Sequence, residues 1–389
     1  MIKRTLGQTG VEAAPLGFGC MRLPLADPAD NAKIDYDLAR DMLRKAVDGG
    51  VNYVDTAWPY HGDGGRMNPG ESEPFVAWAL KDGYREKVQL ATKLPSWTIQ
   101  NQKQMHHCLD RQLKRLDTAC LDFYLLHNLS TAVWPYLKDI GALKFLDEAM
   151  KDGRIKYPGF SFHDSYEVFE QIINDYDWAV AQIQYNYIDV NYQAGRKGLE
   201  LAAAKKIGVI VMEPLRGGFL ISFMPDEMKE LLHSVRPEWS LADWSFRWLW
   251  QQPEVGVVLS GMSAMEQVEE NLSIAEKGPA EPMTEKDQEA LTEVREFFEA
   301  RLKLNCTGCG YCLPCPSGVN IPKNFSFYNQ YYLMDSDVVR SRTQYYFRAQ
   351  MPAGESFTNC VHCGQCEEKC PQHLPISDAL HKVGEVFGQ

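Results

Sequence analysis

Eight short apolar runs recur between residues 16 and 261, and amphipathic segments such as DLARDMLRKAVDGG and QKQMHHCLDRQLKRLD separate them. Runs that are apolar on both faces are typical of parallel strands joined by crossover helices. Eight strand and helix pairs of this kind predict an α/β fold, a closed (β/α)8 TIM barrel. The runs are LGFGC, VNYVDTA, VQLATKL, LDFYLLH, YPGFSF, AVAQIQY, GVIVMEP and VGVVLSG.

A doubly wound open sheet is the alternative fold class. Such a sheet usually opens with a glycine-rich dinucleotide loop that runs into a helix, and the segment GFGCMR is not a loop of that kind. After the eighth run, the segment MTEKDQEALTEVREFFEARLKLN predicts a long helix with Thr284 as its N-cap. The end of this helix predicts a domain boundary, with a barrel over residues 1–300 and a small second domain over residues 301–389.

The charge and composition of the chain exclude several classes of partner. The 389 residues are 45% hydrophobic, which suffices for one large core and a small second module, and the formal net charge is −12. Nucleic acids and anionic membranes need a concentrated basic face, so neither is expected as a partner. No window approaches 18 uninterrupted apolar residues, so no membrane span is predicted and a cytoplasmic location is expected.

Eight of the 11 cysteines follow residue 305, and they form a repeat in which three cysteines spaced by two residues precede a Cys-Pro pair. Three cysteines at this spacing can bind three corners of an iron–sulfur cube, and a distant Cys-Pro can supply the fourth ligand. A pair of zinc sites is the alternative, although zinc modules usually present cysteines as two separated pairs. The cysteines are Cys306, Cys309, Cys312 and Cys315, then Cys360, Cys363, Cys366 and Cys370.

This tail resembles the bacterial two-cluster ferredoxins, in which the fourth cysteine of each motif binds the other cluster. The resemblance implies a ferredoxin-like domain with two 4Fe–4S clusters. One cluster would be held by Cys306, Cys309, Cys312 and Cys370, and the other by Cys360, Cys363, Cys366 and Cys315. The first motif departs from the ferredoxin pattern, because two residues stand where three normally precede its last cysteine. The cysteine pattern therefore supports the presence of two clusters more strongly than it supports the exchange of the fourth cysteine between the two motifs.

Polar side chains lie at the ends of three consecutive predicted strands. Asp55 ends the second run, Lys93 the third and His127 the fourth, and Tyr60 lies in the loop after Asp55. Because chemistry in such barrels occurs at the carboxyl ends of the strands, these four side chains are expected to meet in one pocket. Each residue alone also has an ordinary structural explanation, as a surface ion pair or a satisfied core histidine.

An Asp, a Lys, a Tyr and a His in one pocket suit proton transfer to a carbonyl oxygen. A free tyrosine has a pKa of about 10, and a nearby ammonium group favours its phenolate. Asp55 is predicted to anchor Lys93, and His127 is predicted to donate a hydrogen bond to the substrate oxygen. These roles predict a small carbonyl or alcohol substrate.

The barrel resembles the aldo-keto reductases over residues 4 to 275. The matching stretches are RTLGQTGVEAAPLGFGCMRLP, VDTAWPYHG, LATKLP, YLLHN, GFSFH, QIQYN, EPLRGG and GMSAMEQVEENL. The resemblance implies that Tyr60 is the general acid, that Lys93 and Asp55 tune it, and that His127 orients the carbonyl. Together with the cysteine-rich tail, the chain resembles the iron–sulfur-containing branch of this family.

The resemblance also implies that the barrel binds NADP or NAD in an extended pose. The matching nucleotide contacts are Gly19, Cys20 and Met21 near the nicotinamide, Ser161 and Gln182 at the carboxamide, Met212 at the ring face, and Glu270 and Asn271 at the adenine. Met212 replaces the stacking aromatic of the family, and a methionine packs against the ring more loosely. His163 or Phe162 replaces the asparagine that normally lies beside the serine.

The choice between the two dinucleotides stays open in the sequence. The basic residues that pair with the adenosine 2′-phosphate in the family fall at Gly261 and Gln267. Arg216 is one candidate to replace them, and the alternative is an ordinary loop or solvent-facing arginine. The side chains of Trp58, His61, Arg66 and Trp97 indicate an aromatic-lined substrate mouth, and the alternative is that the large aromatics are packing residues of the barrel rim.

Three functions are compatible with this sequence, because a nicotinamide transfers two electrons as a hydride whereas a 4Fe–4S cluster takes one. The first is an NAD(P)H-dependent carbonyl reductase whose clusters serve structure or the docking of a redox partner protein. The second is a ferredoxin-linked oxidoreductase whose clusters pass electrons to or from the barrel, through a flavin or otherwise, although no flavin motif is visible. The third is a redox-sensing module that binds the dinucleotide and turns over slowly. The first function is favoured because all four residues Asp55, Tyr60, Lys93 and His127, called the tetrad below, are present.

Overall fold

The computed structural model describes residues 1–62, 68–278, 281–333 and 337–388, so Arg66 of the predicted mouth lies outside the described residues. The chain divides into two compact units. The barrel unit comprises Met1–Pro214 and Asp243–Pro282, and the cysteine unit comprises Leu215–Ala242 and Met283–Gln389. The predicted boundary at residue 300 remains a prediction, and the cysteine unit includes the segment 215–242 as well as residues from 283 onward.

Eight parallel strands close into a barrel, which confirms the predicted fold class. A short antiparallel hairpin, β1 (Arg4–Thr5) and β2 (Glu12–Ala13), precedes them. The barrel strands are β3 (Leu16–Gly19), β4 (Tyr53–Asp55), β5 (Gln89–Leu94), β6 (Leu121–Leu129), β7 (Ile155–Phe162), β8 (Val180–Gln184), β9 (Gly208–Met212) and β10 (Val255–Ser260). Each strand pairs with the next along the chain, and β10 pairs with β3 to close the ring. All eight apolar runs of the sequence are therefore barrel strands.

The segments between the strands form helices, as their amphipathic patterns predict. In α1, the buried residues Ala39, Met42, Leu43, Ala46 and Val47 recur at helical spacing, and the Asp35 side chain caps the helix by accepting a hydrogen bond from Leu38 N. The helices up to β10 are α1 (Tyr36–Asp48), α2 (Ser72–Ala79), α3 (Gln102–Arg115), α4 (Trp134–Asp139), α5 (Ala142–Lys151), α6 (Tyr166–Asn174), α7 (Gly195–Ala204), α8 (Phe219–Ser222), α9 (Asp226–Val235) and α10 (Leu241–Trp250), and α11 (Met265–Lys277) follows it. None of the described helices is long and apolar enough to cross a membrane.

The N-terminal hairpin closes the amino end of the barrel. Leu6 is fully buried and belongs to a core cluster with residues from the barrel strands. Gly7 has a φ of +58°, and a Cβ atom there would lie 2.7 Å from the carbonyl oxygen of Lys206, just before β9. Because the hairpin covers the amino ends of the strands, the carboxyl ends remain available for a site.

The cysteine unit is helical in the parts that the structure describes. The predicted long helix is α12 (Glu285–Arg301), and Thr284 caps it in a capping box with Asp287, which confirms the predicted N-cap. Asp287 also accepts hydrogen bonds of 2.8 and 2.7 Å from Arg236, which attaches the segment 215–242 to this helix. The remaining helices are α13 (Ile321–Leu333), α14 (Asp337–Gln350), α15 (Gln365–Glu368) and α16 (Ile376–Phe387).

A small hydrophobic core holds these helices together, and two cysteines are part of it. The rings of Phe347 and Phe387 stack with centroids 4.3 Å apart. Cys312 and Cys366 are buried in the same cluster of side chains, which also contains Val319, Ile321, Phe325, Phe327, Tyr328, Ile376, Ala379, Leu380 and Val383. The core of this unit therefore includes one cysteine of each motif.

Candidate active site and cysteine motifs

Asp55, Lys93 and Tyr60 form one hydrogen-bonded group at the carboxyl ends of β4 and β5. Asp55 is the last residue of β4, and Lys93 lies one residue before the end of β5, the strand paired with β4. The Lys93 ammonium donates to both Asp55 carboxylate oxygens at 2.8 and 2.6 Å and to the carbonyl of Thr56 at 2.9 Å. Its Nζ atom lies 3.3 Å from the Tyr60 hydroxyl. The predicted anchoring of Lys93 by Asp55 is therefore present in the structure.

This group is excluded from water. The exposed fraction is 0% for Lys93, 2% for Asp55 and 7% for Tyr60. Burial raises the pKa of the Asp55 carboxyl, and the charge and hydrogen bonds of Lys93 oppose that rise. Because a buried charge is costly without a partner, the ion pair fixes both side chains, and it fixes the ammonium beside the phenol.

His127 completes the predicted tetrad. The sequence places it at the end of a strand, but β6 continues for two residues beyond it, to Leu129, so His127 lies inside the strand. Its ring is 6.2 Å from the ring of Tyr60 at an interplanar angle of 82°, and 5.0 Å from the ring of Trp97. The structure therefore brings all four predicted residues together and places one aromatic of the predicted mouth beside them.

A buried polar network fixes the backbone of Lys93, and no pattern in the sequence predicts it. Glu73 is fully buried and accepts hydrogen bonds from Thr92 at 2.8 Å, Gln112 at 2.7 Å and Arg115 at 2.8 Å. Gln112 also donates to the carbonyl of Lys93 at 3.0 Å. These residues come from three separate segments of the chain, so no motif joins them.

The loop that carries Tyr60 is held by its neighbours. His61 accepts a hydrogen bond from Leu23 N at 3.1 Å through Nε2, and its Nδ1 lies 2.9 Å from the carbonyl of Asn31. Burial lowers the pKa of His61, and the neutral ring with Nδ1 protonated satisfies both contacts. Gly70 donates to the carbonyl of Trp58 at 2.8 Å. Two segments distant in sequence thus position the loop.

Three of the predicted nucleotide contacts lie on neighbouring strands. Ser161 on β7 is opposite Gln182 on β8, and the Gln182 amide nitrogen lies 3.7 Å from the sulfur of Met212 at the end of β9. The Gln182 side-chain oxygen is buried and has no hydrogen-bond partner among the described residues. A buried acceptor without a partner is costly, and a carboxamide N–H would satisfy it, so these residues fit a nicotinamide.

The remaining predicted contacts are placed as follows. Cys20, after Gly19 at the end of β3, is fully buried and donates its backbone N–H to the carbonyl of Asp55 at 2.8 Å. Burial raises the pKa of the Cys20 thiol, and the nearby Asp55 charge adds to this effect. On α11, Glu270 is exposed, whereas Asn271 is buried and donates to the hydroxyl of Ser260 at 3.1 Å. Met21 is partly buried.

Arg216 is not a solvent-facing arginine, which corrects one of the two alternatives drawn from the sequence. It is 1% exposed and donates to the side-chain oxygen of Asn305 at 2.9 Å, inside the cysteine unit. A loop arginine can be buried when its donors find acceptors, and the asparagine just before Cys306 is one such acceptor. Arg216 therefore contacts the residue that precedes the first cysteine motif.

The first cysteine motif surrounds a cavity that the fourth cysteine of the second motif also lines. Cys306, Cys309, Cys312 and Cys370 all border it, together with Ile321, Phe325 and Pro371. Burial raises the pKa of the Cys312 thiol, and the nearby sulfurs of the other three cysteines add to the rise. Such a group of thiols is stable as thiolates only when a cation or cluster compensates them, so the residues fit an iron–sulfur group.

In the second motif, Cys360 and Cys366 lie near Cys315. Burial raises the pKa of Cys366 to about 11, and Glu367, Cys315 and Cys360 contribute to the rise. Cys363, in contrast, is exposed. Among the described residues, no three His, Cys, Asp or Glu side chains lie close enough together to hold a single metal ion. The thiolates of a 4Fe–4S cluster bind separate iron atoms, so they lie farther apart than the ligands of one ion. The grouping of Cys370 with the first motif and Cys315 with the second matches the crossed arrangement, which remains a prediction.

Comparisons with known proteins place both units. The aldo/keto reductase family model matches residues 15–296, and a 4Fe-4S dicluster domain model matches residues 305–374. The chain is 26% identical over 329 residues to "Probable aldo-keto reductase 1" of Glycine max, covering 76% of this chain and 87% of that protein. It is 24% identical over 320 residues to "Uncharacterized oxidoreductase YqkF" of Bacillus subtilis (strain 168), covering 75% and 95%.

Solved structures agree with the family match. The holo form of the aldo-keto reductase AKR11C1 from Bacillus halodurans superposes with a TM-score of 0.63 at 25% identity, covering 76% of this chain and 96% of that chain. The family model spans more than half of the 389 residues. The chain is therefore an oxidoreductase that belongs to the aldo/keto reductase family, and a 4Fe–4S dicluster domain follows its barrel.

Proposed function

We propose that this protein reduces an aldehyde or ketone with NAD(P)H, and oxidises the corresponding alcohol in the reverse direction. One observation carries the proposal: the Lys93 ammonium, held by Asp55 and the Thr56 carbonyl, lies 3.3 Å from the Tyr60 hydroxyl in a pocket shielded from water. A phenol beside a fixed ammonium is suited to give up its proton, because the positive charge stabilises the phenolate that remains.

The bound nicotinamide would supply a hydride to the carbonyl carbon. As the C–H bond forms, the π electron pair of the carbonyl would move to the oxygen. Tyr60 would donate its proton to that oxygen, so that the product is an alcohol and Tyr60 is left as a phenolate. Lys93 would stabilise the phenolate, and Asp55 would keep Lys93 in position. His127, on the neighbouring strand, would donate a hydrogen bond to the same oxygen.

Residues on three neighbouring strands would hold the nicotinamide. Ser161 and Gln182 would bind its carboxamide, and the buried oxygen of Gln182 is an acceptor without a partner among the described residues. Met212 would pack against the ring. Gly19, Cys20 and Met21 would line the nicotinamide side of the site, and Glu270 and Asn271 would contact the adenine.

In the cysteine unit, we propose two 4Fe–4S clusters held by the crossed sets of cysteines. Bound clusters would supply one-electron transfer. The protein would contribute the thiolates and an apolar surrounding that includes Ile321 and Phe325. Their role in the reductase would be structural or would support docking of a redox partner protein.

A second candidate is a ferredoxin-linked oxidoreductase whose clusters exchange electrons with a partner or with the barrel site. The exposure of the second motif favours it, because Cys363 is exposed and Cys360 borders an open cavity of about 410 Å³. Electron exchange falls off with distance, so an exposed ligand suits a partner. Anaerobic mixing of dithionite-reduced protein with a carbonyl substrate separates the candidates: reoxidation of the clusters supports the second, and unchanged clusters support the first.

The reductase proposal is tested by Tyr60→Phe in protein prepared without oxygen. We expect the rate of NAD(P)H-dependent reduction of a panel of aldehydes and ketones to fall about 10²- to 10⁴-fold, because positioned proton donors contribute that much. The affinity for the dinucleotide should stay unchanged. Tyr136→Phe is the matched control, because Tyr136 is 44% exposed on α4. Full activity of Tyr60→Phe would overturn the proposal.

A further inference from the structure

Arg22 lies across the glycine that follows β10. It lies in the loop after β3, three residues beyond Gly19, and β3 pairs with β10 through Phe18 and Ser260. A Cβ atom added to Gly261 would lie 3.5 Å from Cβ and Cδ of Arg22 and 3.6 Å from its Cγ. The aliphatic part of Arg22 therefore packs over Gly261 and fills the space in which a side chain at position 261 would begin.

The charged end of Arg22 has no partner among the residues that the structure describes. Its guanidinium makes no hydrogen bond or ion pair with any residue that the structure describes, and the side chain is partly buried. Other arginines of the barrel unit behave differently: Arg85 binds Asp122 at 2.9 Å, and Arg115 binds Glu73 at 2.8 Å. In a chain with a net charge of −12, carboxylate partners are abundant. The Arg22 guanidinium has no carboxylate partner among the described residues and lies at the carboxyl ends of the barrel strands. It is therefore available to bind an anionic ligand.

The neighbouring positions supply no other cation. Gln267 accepts a hydrogen bond from Ser263 N at 2.8 Å, so its side chain is engaged at the start of α11. Gly261 has no side chain, and Arg216 donates to Asn305 in the cysteine unit. Of these four positions, Arg22 is the one in the barrel unit that carries a positive charge.

We infer that Arg22 binds a phosphate group of the nicotinamide dinucleotide, an inference that rests on the proposed function. A guanidinium is suited to phosphate because its planar N–H groups can pair with two oxygens at once. The adenosine 2′-phosphate is the expected group, since it bears nearly two negative charges and gains most from the pairing. Arg22 would then determine a preference for NADPH over NADH at a site without a basic residue at 261 or 267.

The test compares both dinucleotides on the full chain with its clusters, by quenching of tryptophan fluorescence. In Arg22→Gln, we expect the Kd for NADPH to rise about 10- to 100-fold, as for the loss of a charge-assisted hydrogen bond, and the Kd for NADH to stay within about twofold. An equal rise for both dinucleotides would instead assign Arg22 to the pyrophosphate. No rise for either, in a protein whose wild type binds them, would overturn the inference.

Two further variants keep the test interpretable. Lys114→Gln removes one exposed positive charge from the end of α3 and should leave both affinities unchanged. Arg22→Lys keeps the charge but loses the planar donors, so an intermediate loss of NADPH affinity is expected even if Arg22→Gln is unstable. If the wild-type protein binds neither dinucleotide, the proposed function itself fails, and that result differs from a failure of Arg22 alone.

Discussion

The tetrad of the barrel unit and the motifs of the cysteine unit differ in how their polar groups are satisfied. Lys93 finds acceptors in Asp55, Thr56 and Tyr60, all supplied by the chain. Cys312 and Cys366 are buried beside other thiols, and burial together with those thiols raises their pKa values. The barrel site is therefore organised by the protein alone, whereas the cysteine motifs need an external group to become stable thiolates.

The two regions also differ in how the site relates to the core. In the barrel, a cluster around Leu6, Phe123 and Ile210 fills the interior, and the tetrad is not among its members. In the cysteine unit, Cys312 and Cys366 belong to the hydrophobic core itself. Loss of the bound group should thus leave the barrel folded and should disrupt the cysteine unit.

Removal of iron tests this contrast most strongly. Anaerobic treatment with a chelator and an oxidant should unfold helices α13 and α16. These helices share a hydrophobic core with Cys312 and Cys366, and that core would lose the bound clusters. The expected effect is on the order of 10 kcal/mol, the scale of structural zinc in small domains. Hydrogen exchange resolved along the chain measures it, and the strands of the barrel should keep their protection.

A cysteine variant serves as the matched comparison. Cys312→Ser should lower the iron content by about half if each crossed set of four cysteines holds one of the two clusters. Cys120→Ser, in the barrel unit, should leave the iron content unchanged. Helices α13 and α16 that stay protected after complete iron removal would show that the apolar core suffices and would contradict the contrast.

Lys93→Met tests the barrel side of the comparison. The variant leaves Asp55 buried without its partner, and removal of one member of a buried ion pair costs about 3–5 kcal/mol of unfolding free energy. Denaturation by urea at pH 8 measures the loss. Lys93→Met combined with Asp55→Asn is the matched control, because an amide in place of the carboxylate leaves no buried charge unpaired.

The pH dependence of Lys93→Met follows from the direction of the Asp55 pKa. Burial raises this pKa above its ordinary value of 3.8, and Lys93 opposes the rise, so the variant should show a larger rise. A carboxyl group whose pKa is higher in the folded state binds its proton more tightly there, so stability is lost as pH increases through that pKa. The deficit of Lys93→Met should therefore shrink at acidic pH. An equal deficit at pH 5 and pH 8 would contradict this account.

Part of this organisation could be predicted from the sequence. The eight apolar runs predicted the barrel because parallel strands are buried on both faces, which is a local property of each run. Asp55, Lys93 and His127 could be found because strand ends converge in a barrel. The division of the chain into two units, with residues 215–242 grouped with those from 283 onward, depends on contacts such as that of Arg236 with Asp287, which no local pattern encodes.

The residues that position the site were missed for the same reason. Glu73 and Gln112 act through partners that are distant in sequence, such as Lys93. His61 is predicted only as part of the substrate mouth, and no local pattern indicates its contact with Leu23. Each is an ordinary polar residue in its own segment, so neither spacing nor composition distinguishes it. Only the packing of the segments shows which polar side chains are buried together.

Gly70→Ala is the smallest of the changes and tests how finely the barrel site is positioned. A Cβ atom at position 70 would overlap the carbonyl oxygen of Tyr60 and would lie 2.6 Å from Gly62 N. Both neighbours are backbone atoms, so the loop that carries Tyr60 must shift. A displacement of about 1 Å can cost about 10²-fold in rate, and steady-state kinetics with NAD(P)H measures the loss in kcat.

Gly354→Ala is the matched control, because a Cβ atom there meets nothing within 4 Å and the residue lies in the cysteine unit. It should change neither the rate nor the iron content. If Gly70→Ala keeps the wild-type kcat with an unchanged melting temperature, the position of Tyr60 is less constrained than the contacts of its loop indicate. The barrel site would then be held in place mainly by the ion pair between Asp55 and Lys93. That ion pair alone would distinguish it from the cysteine motifs, which need a bound group.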